Sequence, residues 1–435
     1  MIATIIISSI TFLLVILSIF LFPHIRIGKF KLDTYWMIAL VGAIILLVTQ
    51  FAPIEEVGKQ LVSQTSINPI KILILFFSMT TISVILDELG LFRFLASVAS
   101  EKAKANQHAL FAMLYFLTAI LTVFTSNDVV ILTLTPFICF FCKRSKINPI
   151  PYLVAEFVAA NTWSLMLLIG NPTNIYLGTA SGINFVSYFK VMAVPTIVGG
   201  IVELAILFLL FHKSLKQPLQ NNELIYHLDD KIPVIVGLID LFTCLGFLVF
   251  SSYLNFEMWM ISAICAGSLL VFMIVYSCFV KTNFVHVKET VKRLPYQLIP
   301  FFLSMFVIVV ALNTQGISKA FGDFLGSNNS IWVYGYTSFF ASNLINNIPM
   351  SILFSNLTNS LSGASYLQGV YASIIGSNIG AFLTPIGALA GIMFSSLVAK
   401  NKIRFSFIDF IKYGVIISVP VITVILAMTQ LFLNF

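Results

Sequence analysis

Long runs of apolar residues, separated by short polar gaps, occupy almost the whole sequence. A helix needs about 20 apolar residues to cross the ~30 Å hydrocarbon core of a bilayer. Eight runs of about this length predict continuous membrane-spanning helices, at 1–22, 34–51, 70–87, 190–211, 233–253, 257–280, 296–313 and 410–433. The first run has neither a basic start nor a small-residue cleavage site, so we interpret it as a helix rather than a signal peptide.

Four further apolar stretches are too long for one simple helix, and polar, Gly- or Pro-containing motifs interrupt each of them. They cover 108–142, 152–186, 331–361 and 366–399. Irregular backbone inside a membrane is tolerated only where it packs in protein or faces a water-filled cavity, because lipid cannot pair its N–H and C=O groups. The interruptions are therefore the first places to look for function.

The distribution of Lys and Arg predicts how these segments thread through the membrane. Six gaps hold 20 of the 24 basic residues, and they are 23–33, 88–107, 143–151, 212–232, 281–295 and 400–412. The positive-inside rule places all six in the cytoplasm. The stretch 108–142 then begins and ends on one face, which predicts a re-entrant hairpin of two short helices, 108–124 and 129–142. The stretch 331–361 lies between gaps with almost no positive charge and predicts a hairpin that enters from outside.

Together these segments predict an all-α polytopic membrane protein made of two inverted repeats, with about 10 spans and 2 re-entrant hairpins. Residues 1–211 form the first repeat, with hairpin 108–142 and broken helix 152–186. Residues 212–232 are a cytoplasmic linker. Residues 233–435 form the second repeat, with hairpin 331–361 and broken helix 366–399. Both termini are predicted to lie outside. Inverted repeats with paired broken helices are typical of secondary transporters, whose substrate site lies near the membrane midplane.

Composition excludes several other classes of protein. Hydrophobic residues make up 59% of the chain and charged residues 9%, whereas a soluble domain has about 25% charged residues. The net charge of +7 does not indicate nucleic-acid binding, because the basic residues lie in gaps between apolar runs. The sequence has no ATP-binding loop, metal-ligand spacing or catalytic set, so we predict no enzyme, no cofactor and no metal site.

The first repeat carries two of the polar interruptions. The hairpin turns at Thr125-Ser126-Asn127-Asp128, and the helix after it is predicted to begin near Val129, with its partial positive end at the tip. Asp128 is a functional candidate because an intramembrane carboxylate is costly. The broken helix carries Gly170-Asn171-Pro172-Thr173-Asn174. Gly170 and Pro172 are predicted to break the helix. Asn171, Thr173 and Asn174 offer uncharged hydrogen-bonding groups, and with Thr125, Ser126 and Asn127 they are predicted to bind substrate.

The second repeat carries similar chemistry. Its hairpin turns at 342–349 and its broken helix is interrupted at 376–380 and 384–387. The predicted substrate-binding residues are Asn343, Asn346, Asn347, Ser377, Asn378 and Thr384. The predicted helix breakers are Pro349, Gly376, Gly380, Pro385 and Gly387. Because Asn347 takes the place that Asp128 has in the first hairpin, the predicted site has one carboxylate among many neutral polar groups.

Other acidic residues also lie in or near the apolar runs. Glu156 is interpreted either as a solvated carboxylate near the membrane interface or as part of the site. Glu203 and Asp240 are predicted to be paired inside the helix bundle. The pair Asp87-Glu88 is predicted to cap a helix end at the cytoplasmic surface.

At its interruptions the chain resembles the ion transporter superfamily, and within it the arsenite/antimonite efflux permeases and their sodium/proton-exchanging relatives. Asn127-Asp128 and the run 132–136 (Leu-Thr-Leu-Thr-Pro) resemble the family's Asn-Asp and Leu-Thr-Pro signature. Residues 294–299 (Leu-Pro-Tyr-Gln-Leu-Ile), 346–349 (Asn-Asn-Ile-Pro) and 384–390 (Thr-Pro-Ile-Gly-Ala-Leu-Ala) resemble the arsenite permease pattern. The resemblance covers essentially the whole chain.

Two features depart from this pattern. The best-known arsenite permeases have an acidic residue where this chain has Asn378. The pentapeptide 170–174 is more typical of the wider superfamily, which includes carboxylate and sulfate carriers. The substrate is therefore less well defined by the resemblance than the fold.

The resemblance implies a secondary transporter of the cell membrane that exports arsenite or antimonite in exchange for protons, with Asp128 as the proton carrier. One alternative is a Na⁺/H⁺ antiporter in which Asp128 binds Na⁺ directly. A second is a Na⁺-coupled permease for a di/tricarboxylate or oxyanion, with half-helix N-termini as the anion site. A third is a membrane subunit that acts with a cytoplasmic ATPase docked on 212–232 and 281–295. The expected partners are otherwise the small ion substrate, H⁺ or Na⁺, and the lipid bilayer.

Overall fold

The computed structural model describes most of the chain. The described residues are 1–22, 24–27, 30–63, 68–103, 106–217, 226–228, 230–254, 256–280 and 284–433. Much of the predicted linker 212–232, namely 218–225 and 229, lies outside the described residues. Parts of three other basic gaps (23–33, 88–107 and 281–295) and the last two residues also lie outside them.

The first half of the described chain consists of ten α-helices and one small β-ribbon. The helices are α1 (Ile2–Leu21), α2 (Thr34–Val48), α3 (Ile54–Leu61), α4 (Pro69–Glu88), α5 (Leu91–Lys102), α6 (Gln107–Phe124), α7 (Asn127–Arg144), α8 (Ile150–Trp163), α9 (Pro172–Ala180) and α10 (Phe185–Phe211). The ribbon pairs β1 (His24–Ile27) with β2 (Phe30–Asp33) in antiparallel fashion. The ribbon lies in the basic gap 23–33, where the apolar pattern predicts no strand.

The second half also contains ten α-helices. They are α11 (Lys231–Leu254), α12 (Met258–Val280), α13 (Val285–Arg293), α14 (Leu298–Thr314), α15 (Ile317–Leu325), α16 (Ser330–Ile345), α17 (Asn347–Thr358), α18 (Ala364–Gly380), α19 (Leu389–Lys400) and α20 (Phe407–Leu433). Short 3₁₀ helices cover Leu168–Gly170 and Ser214–Lys216. Each half of the described chain thus contains ten α-helices, and the last of each, α10 and α20, are both 27 residues long.

The packing of the helices relates the two halves. Helix α2 packs on α14 in the other half, and α12 packs on α4. Likewise α7 packs on α19, and α17 packs on α9. Helices α10 and α20 pack on each other. The two halves thus contact each other through helices at corresponding positions in their order.

Seven segments of the described chain are long and apolar enough to cross a membrane. They correspond to α4, α6, α10, α11, α12, α20 and the segment from α13 through α14. Helices α1, α2 and α19 are apolar but shorter. Helix α6 has 18 residues and rises about 27 Å at ~1.5 Å per residue, so its assignment to a re-entrant hairpin stays a prediction.

Helices α8 and α18 form the centre of the protein. Every residue of α8 after Ile150 is buried, and so is every residue of α18 from Gly369 onward. By contrast, long helices such as α10 and α12 expose large apolar side chains, for example Ile201 and Phe279. Exposed apolar surface of this extent fits contact with lipid. The two broken helices therefore lie in the interior, surrounded by other helices.

Asparagine side chains begin several of the long helices. The Oδ1 atoms of Asn68, Asn106 and Asn184 accept hydrogen bonds from backbone N–H groups in the first turns of α4, α6 and α10. Such caps satisfy N–H groups that have no partner inside the helix. The same device recurs at the interruptions described below.

Candidate functional site

The tip of the first hairpin joins α6 to α7 through Thr125 and Ser126. The Thr125 hydroxyl donates to the Leu121 carbonyl oxygen at 2.6 Å, and Ser126 is the N-cap residue of α7. Helix α7 begins at Asn127, two residues earlier than predicted. The Asn127 Nδ2 atom donates to Asn161 Oδ1 on α8 at 3.3 Å, and both side chains are buried. The tip is thus attached to the first broken helix.

The first broken helix is interrupted over residues 164–171, between α8 and α9. The break begins earlier than the predicted motif 170–174, and Pro172 and Thr173 already lie in α9. Proline is tolerated there because the first helical N–H needs no intrahelical partner. Glycine is required at position 170 because the backbone of Ser164 lies so close that a Cβ atom would be 2.2 Å from the Ser164 carbonyl oxygen. Asn171 caps α9 by accepting from the N–H and the hydroxyl of Thr173, both at 3.1 Å.

Asn378 on α18 joins the two broken helices. Its Oδ1 atom accepts hydrogen bonds from Ser164 Oγ at 2.8 Å and from Asn171 Nδ2 at 2.9 Å. Its Nδ2 atom donates to Asn174 Oδ1 at 2.6 Å and to the Ile374 carbonyl oxygen at 2.8 Å. The carboxamide has two donor hydrogens and two acceptor lone pairs, so every position is used. In this conformation Asn378 acts as a structural link.

The tip of the second hairpin is bound to the second break. Asn346 Nδ2 donates to the Ile386 carbonyl oxygen at 3.0 Å, and the Asn347 N–H donates to the Gly387 carbonyl oxygen at 3.0 Å. The Thr384 hydroxyl donates to Asn343 Oδ1 at 2.6 Å. Pro349 lies in the first turn of α17. The hairpin α16–α17 and the break therefore form one hydrogen-bonded unit.

Asn346 itself has an unusual backbone conformation, with φ 70° and ψ 153°. This region is occupied mainly by glycine, and another residue held there costs about 1–3 kcal/mol. Its side chain compensates by capping α17, because Oδ1 accepts from the Ile348 N–H at 3.3 Å. Such strain is concentrated at functional sites in proteins.

The predicted position of the second break is partly wrong. Gly376, Ser377 and Asn378 lie inside α18, which continues to Gly380, and the break covers 381–388. Gly376 does not break the helix. It permits close packing, because a Cβ atom would lie 2.4 Å from the Gly335 carbonyl oxygen on α16. Pro385 and Gly387 do lie within the break.

A cavity of about 710 Å³ opens beside the first hairpin tip. Ser126 and Asp128 line it from the tip, and Pro385 lines it from the second break. The remaining lining comes from the end of β2, from α2, α4, α7 and α19, and from residues 292–298. The first break and the second hairpin tip contribute no lining residue. The four interruptions are thus linked by hydrogen bonds, in part through α8 and α18, but only two of them reach this cavity.

The charged side chains at the cavity differ in their partners. Arg293 Nη1 contacts Asp87 Oδ2 at 2.6 Å and Glu88 Oε1 at 2.5 Å, and Lys292 pairs with Glu289 at 2.6 Å. Asp87 is 2% exposed, so its predicted role as a helix cap is wrong: its carboxylate is buried against Arg293. Asp128 is partly exposed and has no hydrogen bond or ion pair among the described residues.

Three predicted site residues have a buried polar atom with no partner among the described residues. These atoms are Ser126 Oγ, Asn127 Oδ1 and Ser377 Oγ. An unsatisfied buried polar atom is uncommon and calls for an explanation such as a ligand or an ordered water. By contrast, the side chains of Asn171, Asn174 and Asn378 are engaged with each other.

Two of the remaining intramembrane acids, Glu156 and Glu203, are buried in the helix bundle, whereas Asp240 is partly exposed and is not enclosed in the bundle as predicted. Glu156 is 1% exposed, so its interpretation as a solvated interfacial carboxylate is wrong. Its two carboxyl oxygens lie 3.0 Å from the Thr135 hydroxyl. Glu203 is completely buried and contacts Tyr115 and Thr162. Asp240 accepts from Ser268 at 3.2 Å.

Sequence reasoning missed three residues that connect the site. Asn161 lies on α8 and contacts the first hairpin tip. Ser164 is the first residue of the first break and contacts Asn378. Arg293 lies directly before the motif at 294–299 and was counted only as a topology signal. For Asn161 and Ser164 a signal was present, because polar residues are unusual within such an apolar stretch.

The apolar spanning helices, the two broken helices in the interior and the cavity beside them define an integral, multi-pass membrane transporter of ions or anions. The chain belongs to the family described as CitMHS, citrate transporter, whose model matches residues 31–366. The fold and the relatives are those of transporters and not of enzymes.

Similar proteins include the arsenical pump membrane protein of Escherichia coli strain K12. It is 27% identical over 376 residues, which cover 83% of this chain and 86% of that protein. The putative arsenical pump membrane protein of Bacillus subtilis strain 168 is 25% identical over 381 residues, covering 80% and 84%. Among solved structures, the YdaH transporter of Alcanivorax borkumensis aligns over 100% of this chain and 98% of its own, with a TM-score of 0.56 and 13% identity. This likeness establishes a shared fold.

Proposed function

We propose that the protein exports arsenite and antimonite across the cell membrane in exchange for protons. The names of the relatives in Escherichia coli and Bacillus subtilis support an arsenical substrate. The observation that carries the proposal is the state of Asp128, a carboxylate at the cavity with no partner among the described residues. An acid in this position is available to bind a proton.

The chemistry of the cavity suits an uncharged substrate. Arsenite at neutral pH is largely the trihydroxide, which needs several hydrogen bonds rather than a counter-ion. The two basic residues of the lining, Lys292 and Arg293, are already paired with acidic side chains. Ser126 lines the cavity, and its Oγ atom has no other partner in the described part of the chain. A small polyhydroxyl ligand can bind this hydroxyl and the Asp128 carboxylate without displacing an ion pair.

Proton coupling follows from competition at the first hairpin tip. When Asp128 is ionised, its oxygens accept hydrogen bonds from the hydroxyl groups of the bound trihydroxide. A proton that arrives at Asp128 removes the negative charge and weakens these bonds, so that substrate leaves. The proton and the substrate then occupy the same site in turn. A proton that moves inward is thereby exchanged for a substrate molecule that moves outward.

The inverted-repeat arrangement is part of the proposal. We infer that residues 1–211 and 233–435 run in opposite senses through the membrane, with both termini outside. The reciprocal packing of matching helices supports two related halves. The cavity is lined by Asp33 and by Lys292 and Arg293, which lie in basic gaps assigned to the cytoplasm. A cavity open to the cytoplasm is the loading state of an exporter.

An anion transporter is the second candidate function. The family model is described as that of a citrate transporter, and the cavity lining does contain Lys292 and Arg293. To bind a citrate-like anion, these two cations would have to break their ion pairs with Glu289, Asp87 and Glu88 and form ion pairs with the substrate carboxylates instead. A Na⁺/H⁺ exchanger is a third candidate, since an unpaired Asp128 is also a suitable cation ligand.

The decisive experiment is a flux assay with the purified protein in liposomes. Uptake of arsenite, antimonite, citrate and Na⁺ is measured with and without an imposed pH gradient. We expect arsenite and antimonite to enter the liposomes when the imposed gradient drives protons out. The pH inside the liposomes should rise as substrate enters. Movement of citrate or Na⁺ without arsenite flux would replace the proposal by one of the other two candidates.

A further inference from the structure

Glu203 lies at the centre of a closed cluster that joins three helices. Its Oε1 atom lies 3.0 Å from the Tyr115 hydroxyl of α6, and its Oε2 atom accepts a hydrogen bond from the Thr162 hydroxyl of α8. The Trp163 Nε1–H also donates to the Tyr115 hydroxyl, at 3.1 Å. Glu203, Tyr115 and Thr162 are 0 to 1% exposed. The cluster therefore connects α6 and α8 to α10 without contact with water.

The number of hydrogens in this cluster indicates where a proton lies. The Tyr115 oxygen is 2.7 Å from the Gly200 carbonyl oxygen and 3.0 Å from Glu203 Oε1. A tyrosine hydroxyl has one hydrogen, and a carbonyl oxygen has none. The shorter contact therefore takes the tyrosine hydrogen. The contact between Tyr115 and Glu203 then needs a hydrogen from the carboxyl group.

With that hydrogen present, every group in the cluster is satisfied. The Tyr115 oxygen accepts from Trp163 and from the Glu203 carboxyl, and it donates to Gly200. Glu203 Oε2 accepts from Thr162. If the Glu203 carboxyl group had no hydrogen, Tyr115 could donate to only one of Gly200 and Glu203. The other contact would then be between two oxygen atoms without a hydrogen bond. Buried polar groups are almost always paired, so the protonated arrangement is the consistent one.

The surroundings of Glu203 contain no compensating charge. Among the described residues no Lys, Arg or His makes an ion pair with it. Tyr115 is the titratable group that faces it from α6, and α8 contributes only the hydroxyl of Thr162. Ile425 stands as many residues from the start of α20 as Glu203 does from the start of α10. The matching position of α20 therefore has no carboxyl group.

We propose that Glu203 is a second proton-binding site, distinct from Asp128, and that its proton is a fixed part of the folded protein. The neutral carboxyl group donates to Tyr115 and accepts from Thr162, and so holds one arm of the first hairpin and one arm of the first broken helix against α10. This inference goes beyond the proposed function and does not depend on the substrate.

Infrared difference spectroscopy tests the proton directly. The purified wild type and Glu203→Gln are compared at neutral pH in the spectral region of the C=O stretch of a protonated carboxyl group. An ionised carboxylate has no band in this region. We expect the wild type to have a protonated-carboxyl band that is lost in Glu203→Gln. If the variant loses a carboxylate band instead, Glu203 is ionised and the proposal is wrong.

Thermal unfolding in detergent provides a second test. Glutamine can donate to Tyr115 and accept from Thr162 as a protonated carboxyl does, whereas leucine at 203 can do neither. We expect Glu203→Gln to shift the unfolding midpoint by less than half as much as Glu203→Leu. Equal losses in the two variants would contradict the proposal, and the infrared test still applies if the leucine variant does not fold.

The pH dependence of this difference gives a further discriminating result. If the native state holds the proton, the wild type should lose stability relative to Glu203→Gln as the pH rises, because the unfolded chain releases that proton more readily. An ionised native Glu203 predicts the opposite trend, with a relative gain as the pH rises. A relative gain would therefore overturn the proposal.

Discussion

Asn171 in the first half of the protein donates a 2.9 Å hydrogen bond to Asn378 in the second, across 207 positions of sequence. The same acceptor atom also binds Ser164. The interruption of the first broken helix is therefore joined side chain to side chain to α18, just before the second break. Any change in conformation must either carry these residues together or exchange their hydrogen bonds for others.

Replacement of Asn378 tests this link. Asn378→Ala removes the buried partner of Asn171 Nδ2 and of Asn174 Oδ1, whereas Ser164 Oγ keeps its hydrogen bond to the Asn161 carbonyl oxygen. Each such group costs about 1–3 kcal/mol, so we expect a loss of at least ~2 kcal/mol in unfolding free energy. Asn356→Ala is the control, since that side chain donates only to the Ile352 carbonyl oxygen of its own helix. Equal stability of the two variants would show that the link is not structural.

Gly376 provides a test of packing between α16 and α18. A Cβ atom there would lie 2.0 Å from Ser338 Oγ and 2.4 Å from the Gly335 carbonyl oxygen. Gly376→Ala must push the helices apart, and overpacking of this kind costs about 1–3 kcal/mol. Gly267→Ala on α12 is the control, because nothing lies within 4 Å of its added Cβ. Thermal midpoints should fall in the first variant and stay level or rise in the second.

Arg293 and Asp87 are expected to be energetically coupled. Arg293→Gln leaves the Asp87 carboxylate, which is 2% exposed, without its cation, and breaking a buried pair in this way costs about 3–5 kcal/mol. The double variant with Asp87→Asn should be more stable than Arg293→Gln alone. A double-mutant cycle on unfolding free energies measures the coupling.

The exposed pair Lys59–Glu55 is a suitable control for this cycle. Its side chains are 65% and 80% exposed, so its coupling should stay below ~0.5 kcal/mol. Coupling energies of equal size in the two cycles would contradict the assignment of Asp87 to a buried ion pair.

Asp128→Asn tests the proposed coupling residue. The amide keeps the size of the side chain and cannot bind or release a proton, so proton-driven arsenite flux into liposomes should be lost. Asp240→Asn is the control, since Asp240 lies on α11, outside the cavity lining, and accepts from Ser268. Flux at the wild-type rate in Asp128→Asn would remove this residue from the mechanism.

The predicted topology can be tested by labelling single cysteines in a background that lacks the exposed Cys278. Lys102 and Asn148 are exposed at the two ends of the α6–α7 hairpin. If α6 and α7 form a re-entrant hairpin, cysteines at both positions must be labelled from the same side of the membrane. Asn328, between α15 and α16, should be labelled from the opposite side. If Lys102 and Asn148 differ in sidedness, α6 and α7 do not form a re-entrant hairpin.

The gross architecture could be predicted from hydrophobic patterning. Runs of about 20 apolar residues gave the long helices, because burial in lipid demands that length regardless of neighbouring contacts. The hairpin turns were also located to within two residues, since Ser126 and Asn346 carry the signals of helix N-caps. Amphipathic helices such as α3 and α13 were missed because they are short and polar.

The position of the second break could not be predicted in the same way. Glycine at 376 suggests a break when read locally, yet the helix continues through it to Gly380. What decides its role is the proximity of the Gly335 backbone on α16, a contact between residues distant in sequence. The same holds for Glu156, whose burial depends on which helices surround α8.

Composition and local backbone preferences were enough to predict a membrane protein, the two hairpin turns and the polar groups near the interruptions. The exact bounds of the breaks, and which polar groups bind each other, depend on contacts in the folded protein. Asn378 is saturated by three partners from the other half and one from its own helix, whereas Asp128 is left facing a cavity. Hydrogen-bond partners are chosen by proximity in space, and local sequence does not encode that proximity.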